Sequence, residues 1–222
     1  MPREALKELI VSFSPDKLVT FLRRRSTSFR QAREEYTEFS REQFRDVTKV
    51  GDIKFADEMK SNLIVVTARV MKPLSERSGK KLQYDIAKKI LSSGFFDAGI
   101  FVFYDAQGSF RFSLIYPQYI GKKKSWSNFR RFTYFASPDL ANKTFIKQIG
   151  EGDFSTLDKV KESFSLAKVT NDFYNEFKGH FEKLCGAVKA KYDKPGEDEI
   201  KNFALRFVIR VIFLGLDRKS VV

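Results

Sequence analysis

Residues 73–91, with the sequence PLSERSGKKLQYDIAKKIL, constrain the fold most, because an apolar run lies on each side of them. The run before them, NLIVVTARV at 62–70, has no polar alternation, which is typical of a central strand that is buried on both faces. AGIFVFYD at 98–105 has the same character. The order strand, basic loop, helix, strand predicts an α/β fold, in which helices pack on a mixed sheet of about five strands and a helical C-terminal part follows.

The junction between this loop and its helix carries three cations, Arg77, Lys80 and Lys81. Backbone N–H groups and the positive end of the helix dipole favour an anion at such a junction. The neighbouring Ser78-Gly79 pair allows the backbone to turn and to approach a ligand closely. We therefore expect a nucleic-acid phosphate to bind here. The alternative is that these are ordinary surface cations.

Charge is the second constraint. Forty-one Lys and Arg residues against 28 Asp and Glu residues give a formal net charge of +13. This balance predicts a polyanionic partner, such as DNA, RNA or an acidic membrane surface. A basic surface with no partner is the alternative. The single cysteine, Cys185, and the single histidine, His180, exclude a disulfide framework and most zinc sites.

Nothing in the sequence indicates a membrane or an export pathway. The N-terminus is charged and amphipathic and lacks the apolar core of a signal peptide. The longest apolar stretch, at 203–214, is too short to span a bilayer and contains two arginines. We therefore expect a cytoplasmic protein with no membrane partner.

The segment 121–131, GKKKSWSNFRR, is a second candidate for DNA binding and is predicted to be a basic loop. Its cations can neutralise phosphates, and its two aromatic residues can stack on bases. An ordinary hairpin loop with Trp126 folded back onto the sheet is an equally good interpretation. The residues concerned are Lys122, Lys123, Lys124, Trp126, Phe129, Arg130 and Arg131.

The organisation of the chain follows from these patterns. Residues 1–49 are predicted to be an N-terminal helical segment, in which 26–46 form a loop and an irregular helix. Residues 50–150 form the α/β core, and 151–190 a helical part whose longest helix begins at Thr170. Residues 191–222 are predicted to be a linker and the start of a truncated following domain. A separate linker signal, AKYDKPGED, covers 190–198.

Catalytic motifs are weak. The sequence has neither a GxxxxGK[ST] loop nor a GxGxxG motif after a strand, so no nucleotide cofactor is predicted. A metal-dependent nuclease needs carboxylates at strand ends to bind a cation that activates water. Asp52, Asp57 and Glu76 are the candidates, with Mg²⁺ as cofactor only under this nuclease hypothesis. The strand at 62–70 has no carboxylate where one is expected.

Several segments together resemble the N-terminal region of type IIG restriction–modification methylases. The resemblance covers roughly residues 50–214 and rests on VGDIKFADEM, LSERSGKKLQYDIAKKIL, DAGIFVFYDAQGSFRFSLIY, NFRRFTYFASPDLANKTF and VTNDFYNEF. These bacterial proteins join an endonuclease, an adenine-specific DNA methyltransferase and target recognition in one chain. The resemblance implies endonuclease activity in this region and a chain truncated before its methyltransferase domain, and the order strand, strand, helix, strand suits a restriction-endonuclease-like core. The sequence has no Asn/Asp-Pro-Pro-Tyr/Phe motif, so we expect no methylation by this chain.

Three functions remain open from the sequence. The first is a DNA-binding and endonuclease-like module of a restriction–modification protein, with double-stranded DNA as its partner. The second is a non-catalytic module that docks a DNA methyltransferase or specificity domain through its last helix. The third is a single-stranded nucleic-acid binder, which depends on Trp126 and Phe129.

Overall fold

The fold is known from a computed structural model, which describes residues 2–40, 42–56, 61–94, 96–120, 123–191 and 196–217. In this part of the chain there are seven α-helices, six strands and a short 3-10 helix at Thr37–Phe39. The helices are α1 (Pro2–Val11), α2 (Pro15–Arg25), α3 (Lys80–Ser93), α4 (Lys143–Glu151), α5 (Leu157–Phe164), α6 (Leu166–Lys191) and α7 (Glu197–Asp217). The strands are β1 (Phe29–Glu35), β2 (Phe44–Lys54), β3 (Asn62–Val70), β4 (Ala98–Tyr104), β5 (Phe110–Ile120) and β6 (Lys123–Ala136).

The chain forms two compact units, Met1–Ser165 and Leu166–Val222. The first contains the sheet and helices α1 to α5. The second contains α6 and α7, which pack against each other. Helix α6 begins at Leu166, four residues before the predicted start at Thr170. The predicted linker at 190–198 overlaps the end of α6 and the start of α7, and its residues 192–195 lie outside the described part of the chain.

One mixed sheet organises the first unit, as the sequence predicts. Its strands lie in chain order from β1 to β6, and neighbouring strands are antiparallel except β3 and β4. That parallel pair is joined by α3, because a parallel connection needs a crossover. The sheet has six strands where about five were expected.

The additional strand is β1, in a region predicted to be a loop and an irregular helix. Only Phe29 of its seven residues is buried, because β1 lies at the edge of the sheet. Strand β2 also begins earlier than predicted, at Phe44. Residues 26–46 were therefore assigned wrongly, and the segment 1–49 contributes strands as well as helices. A polar edge strand lacks the alternation by which a strand is recognised.

Both faces of the sheet are covered, which explains the apolar run Leu63–Val66 in β3. Leu63 and Val65 belong to a core shared with α1, α2, α4 and α5, whereas Ile64 and Val66 belong to a core shared with α3. Successive residues of a strand point to opposite faces, so burial on both sides requires every residue to be apolar. The larger core contains a cluster of aromatic rings, in which the ring of Phe112 lies 5.7 Å from that of Phe164.

Strands β5 and β6 extend beyond the rest of the sheet. Strand β4 pairs with β5 only as far as Gly99 and Ile115, so residues 116–120 of β5 pair with β6 alone. This projecting two-stranded segment, residues 116–120 and 123–130, is called the ribbon below. The predicted basic loop at 121–131 is therefore strand from Lys123 onward, and a register shift at Pro117–Gln118 interrupts its pairing.

A buried carboxylate, that of Asp105, accepts backbone hydrogen bonds at the end of β4. Asp105 is 6% exposed and accepts hydrogen bonds from the backbone N–H groups of Leu74, Gln107 and Ser109, at 2.7, 3.0 and 2.9 Å. Two of these bonds form the turn between β4 and β5, in which Gly108 has a φ of +85°. The third connects this turn to the loop that follows β3. Asp105 thus connects the two segments at this end of the parallel pair.

Replacing Asp105 by Asn should lower the free energy of unfolding by about 2 kcal/mol, because an amide N–H₂ group would face one of these N–H donors in place of an oxygen. Urea denaturation measures the change. Asp139→Asn removes the same charge from an exposed side chain and should have little effect. Equal losses in the two variants would contradict the structural role of Asp105.

Candidate functional site

The buried side chain of Arg111 holds the part of the loop that leads into α3. This side chain is fully buried, and Nη1 and Nη2 donate to the carbonyl oxygens of Ser78 and Ser75 at 2.8 and 2.6 Å. Nη1 also donates to Oε1 of Gln83, in the first turns of α3. One guanidinium therefore fixes the loop and the helix to strand β5.

The N-terminus of α3 lacks a cap. The N-cap residue, Gly79, has a φ of +66° and no side chain that could accept a hydrogen bond from the first turn. The first N–H groups of a helix have no acceptor within the helix itself. Such groups, together with the helix dipole, form a positive site for an anion. The left-handed backbone at Gly79 explains why glycine is used here.

Four cations surround this helix start. Arg77, Lys80 and Lys81 are exposed, and Arg131 of β6 donates from Nη1 to the carbonyl oxygen of Lys80 at 2.6 Å. The guanidinium of Arg131 also lies 5.5 Å from the ring centre of Tyr84. Among the residues that the structure describes, no salt bridge joins any of the four to an acidic side chain. These four residues are called the basic face.

The buried guanidinium adds to the positive potential of the basic face. Burial lowers the pKa of Arg111, and the positive charge of Arg131 lowers it further. Its hydrogen-bond acceptors are two carbonyl oxygens and an amide oxygen, which carry no net charge. A buried charge without a counter-charge raises the potential in the low-dielectric region around it. The basic face is therefore a surface on which an anion gains more than it would from the exposed cations alone.

The structure brings only part of the predicted DNA-binding set together. Lys123, Lys124 and Trp126 lie in the ribbon, and Lys122 lies outside the described residues. Lys123 pairs with Ile120, five positions of β5 beyond the partner of Arg131, which corresponds to about 17 Å along the strand. The end of the ribbon and the basic face are thus separate surfaces.

Two other residues of the same segment point elsewhere. Arg130 follows the opposite alternation from Arg131 and lies opposite Tyr116, its partner on β5. Phe129 is buried, with the ammonium group of Lys88 5.6 Å from its ring centre. The expectation that Phe129 stacks on bases is therefore wrong, because α3 covers its ring.

Two of the candidate carboxylates of a nuclease, Asp52 and Glu76, lie far apart. Asp52 is half-buried, forms a salt bridge with Lys49 at 3.6 Å and aligns with Ile64 near the start of β3. Glu76 is exposed in the loop after the other end of β3, and six residues of strand correspond to about 20 Å. Asp57 lies outside the described residues. In the described part of the chain, no three His, Cys, Asp or Glu side chains form a group that could hold a metal ion.

Sequence reasoning missed Arg111, Gln83 and Asp105, which build the site. A signal existed for Arg111, because it is a charged residue between two phenylalanines in a strand that is otherwise buried.

No helix in the described part of the chain is long and apolar enough to cross a membrane.

Comparison with protein-family models and with curated proteins finds no match for the chain. Among solved structures, the chain is similar to a crystal structure described as a family II inorganic pyrophosphatase from Methanococcus jannaschii. The identity is 9%, the TM-score is 0.27, and the match covers 69% of this chain. The matched part spans 42% of the length of that protein. Similarity at this level supports no conclusion about fold or function.

Replacing Arg111 by Lys should lower the free energy of unfolding by about 2–3 kcal/mol, because one ammonium group cannot reach all three acceptors and leaves buried oxygens without a donor. Urea denaturation measures this loss. Arg24→Lys, at an exposed position of α2, is the matched control and should change stability little. If the two variants were equally stable, Arg111 would not be the residue that holds the loop.

Proposed function

We propose that this chain is a DNA-binding module of a bacterial restriction–modification protein and that its basic face contacts the phosphates of double-stranded DNA. The observation that carries the proposal is the basic face itself, in which four cations, none with an acidic partner among the described residues, surround an uncapped helix start. Cations of this kind release counterions from DNA when they bind its phosphates. The favourable entropy of that release is the main source of non-specific affinity.

The contrast with other cations of the chain supports this choice. Lys7 forms a salt bridge with Glu4, and Lys161 forms one with Asp158. Lys159 pairs with Asp153 at 2.7 Å, and hydrogen bonds from Lys159 and Ser155 lower the pKa of Asp153 to about 2. These lysines are already neutralised in pairs. Within the described part of the chain, the cations of the basic face have no acidic partner, so their charge is available to an external anion.

The topology supports the restriction–modification context. Strands β2, β3 and β4 with α3 follow in the order strand, strand, helix, strand, which suits a restriction-endonuclease-like core. The proposal is limited to binding, because Asp52 and Glu76 lie at opposite ends of β3. Mg²⁺ enters only if cleavage is found.

Replacing Arg77, Lys80 and Lys81 together by Ala should weaken binding to a DNA duplex and reduce its salt dependence. The slope of log K against log salt is negative, and each lost phosphate contact reduces its magnitude by about 0.9. The magnitude should therefore decrease by about 2.7. Fluorescence anisotropy over a series of salt concentrations measures both quantities. The effect should be similar for unrelated duplex sequences, because phosphates carry no sequence information.

The matched control is the triple variant Lys7→Ala, Lys159→Ala and Lys161→Ala, which removes the same charge from lysines that pair with acids. Its salt slope should remain close to that of the unchanged protein. Equal slopes in the two triple variants would mean that only net charge matters, and salt-independent binding would overturn the proposal altogether.

A second candidate function has its own observation, on α7. Phe203, Phe207 and Val211 of this helix are each at least half exposed, in a segment where Ile200 and Ala204 are buried. Exposed apolar side chains at helical spacing are typical of a helix that docks into a partner. In this function the chain is a non-catalytic module that binds a DNA methyltransferase or specificity domain.

Under this second function, Phe207→Asp should abolish co-elution with a DNA methyltransferase encoded at the same locus, because a carboxylate would be buried at the interface. Size-exclusion chromatography of the mixed proteins measures the complex. Asn202→Asp, on an exposed position of the same helix, adds the same single negative charge and is the control. Persistence of the complex in the Phe207 variant would rule out docking through α7.

A further inference from the structure

We infer that the N-terminus of α3 binds a single phosphate group, which is held by the N–H groups of the first turn and by the side-chain amide of Gln83. The inference rests on the proposed function for the source of this phosphate, which is the backbone of DNA. The site itself follows from two independent observations on the described residues.

The first observation is the uncapped start of a long helix. Helix α3 has 14 residues, and Gly79 at its N-cap leaves the N–H groups of Lys80, Lys81 and Leu82 without a side-chain acceptor. Three N–H groups that converge at the positive end of a helix match the oxygens of one phosphate. Lys80 and Lys81 are exposed and add positive charge at the same place.

The second observation is an unused buried donor beside this helix start. Gln83 is 2% exposed, and its Nε2 atom has no hydrogen-bond partner. Nε2 lies 3.2 Å from the position that a Cβ atom would occupy at Gly79, and among the described residues other than the neighbours of Gly79 in the chain, no other side chain comes within 4 Å of this position. The amide therefore points to the N-cap. A buried amide donor that finds no acceptor in the protein is a site where a ligand oxygen can bind.

Arg111 determines which end of the amide faces the N-cap. A guanidinium only donates hydrogen bonds, so the amide atom that contacts Nη1 of Arg111 has to be the oxygen. The N–H₂ group must then point away from Arg111, toward Gly79. Arg111 acts as a positioning residue, because it orients a donor that would contact the phosphate.

The sharpest test is Gln83→Glu, because the two roles of Gln83 predict opposite effects. A carboxylate keeps the acceptor for Arg111 and gives the buried guanidinium a counter-charge, so the thermal midpoint of unfolding should rise. The same change removes the N–H₂ donor and places negative charge beside the phosphate. Affinity for phosphate should therefore fall by about tenfold or more. If Gln83 served only the fold, Gln83→Glu would raise the thermal midpoint of unfolding without lowering the affinity for phosphate.

Inorganic phosphate is the first probe. Its binding is measured from amide chemical shifts in NMR spectra of the full chain. Phosphate should shift the backbone resonances of Lys80, Lys81 and Leu82 and the side-chain resonance of Gln83. Gln148→Glu is the matched control, because Gln148 is a buried glutamine of α4 and the charge change is the same. Affinity unchanged by Gln83→Glu, or amide resonances of α3 that do not move, would overturn the inference.

A duplex without terminal phosphates is the second probe, and it identifies the source of the phosphate. If Gln83→Glu weakens binding of both probes, the site takes a backbone phosphate of DNA. If inorganic phosphate binds at α3 but the duplex does not bind, the phosphate site stands and the proposed DNA-binding function fails. If the duplex binds with the same affinity in the Gln83→Glu variant, the basic face binds DNA but the single-phosphate site is wrong.

Discussion

The hydrogen bonds of the Arg111 guanidinium are the interaction on which the arrangement of this site depends. They connect β5 to the loop after β3 and to the first turns of α3, which lie about thirty residues earlier in the sequence. A buried charge is unfavourable unless its hydrogen-bonding groups are satisfied, so the carbonyl oxygens of Ser75 and Ser78 must stay where they are. The hydrogen bond from Arg111 to Oε1 of Gln83 also orients the Gln83 amide, so that its N–H₂ group faces the uncapped N-terminus of α3. Structural and electrostatic roles thus coincide in one side chain.

The parallel pair β3–β4 explains why the site lies where it does. The connection between parallel strands has to cross over the sheet, and here it does so as a loop followed by α3. Because the loop leaves the carboxyl end of β3, the start of α3 lies beside that end, where ligands of open α/β sheets commonly bind. Asp105, at the end of β4, attaches to the same loop through Leu74. The loop is therefore held from two strands.

Local sequence patterns were sufficient for the elements of this region. The apolar runs of β3, at 63–66, and of β4 reflect burial on both faces, and the spacing of Ala87, Ile90 and Leu91 reflects the buried side of α3. They were insufficient for β1, since an edge strand buries one residue and keeps its remaining side chains polar. The first part of β6, residues 123–131, was predicted to be a loop for a related reason. A basic strand that pairs on one side only has no apolar alternation to recognise.

What the sequence established by itself is the mixed sheet with its covering helices, the strong positive charge and the cationic start of α3. Each depends on residue type and short-range periodicity, which are properties of neighbouring residues in the chain. Only the tertiary structure decided which cations share a surface. Strand alternation separates Arg131 from Arg130, and strand register places Lys123 about 17 Å from Arg131 along the sheet. Arg111 became part of the site because β5 passes under a helix start that precedes it by some thirty residues, and no local pattern contains that contact.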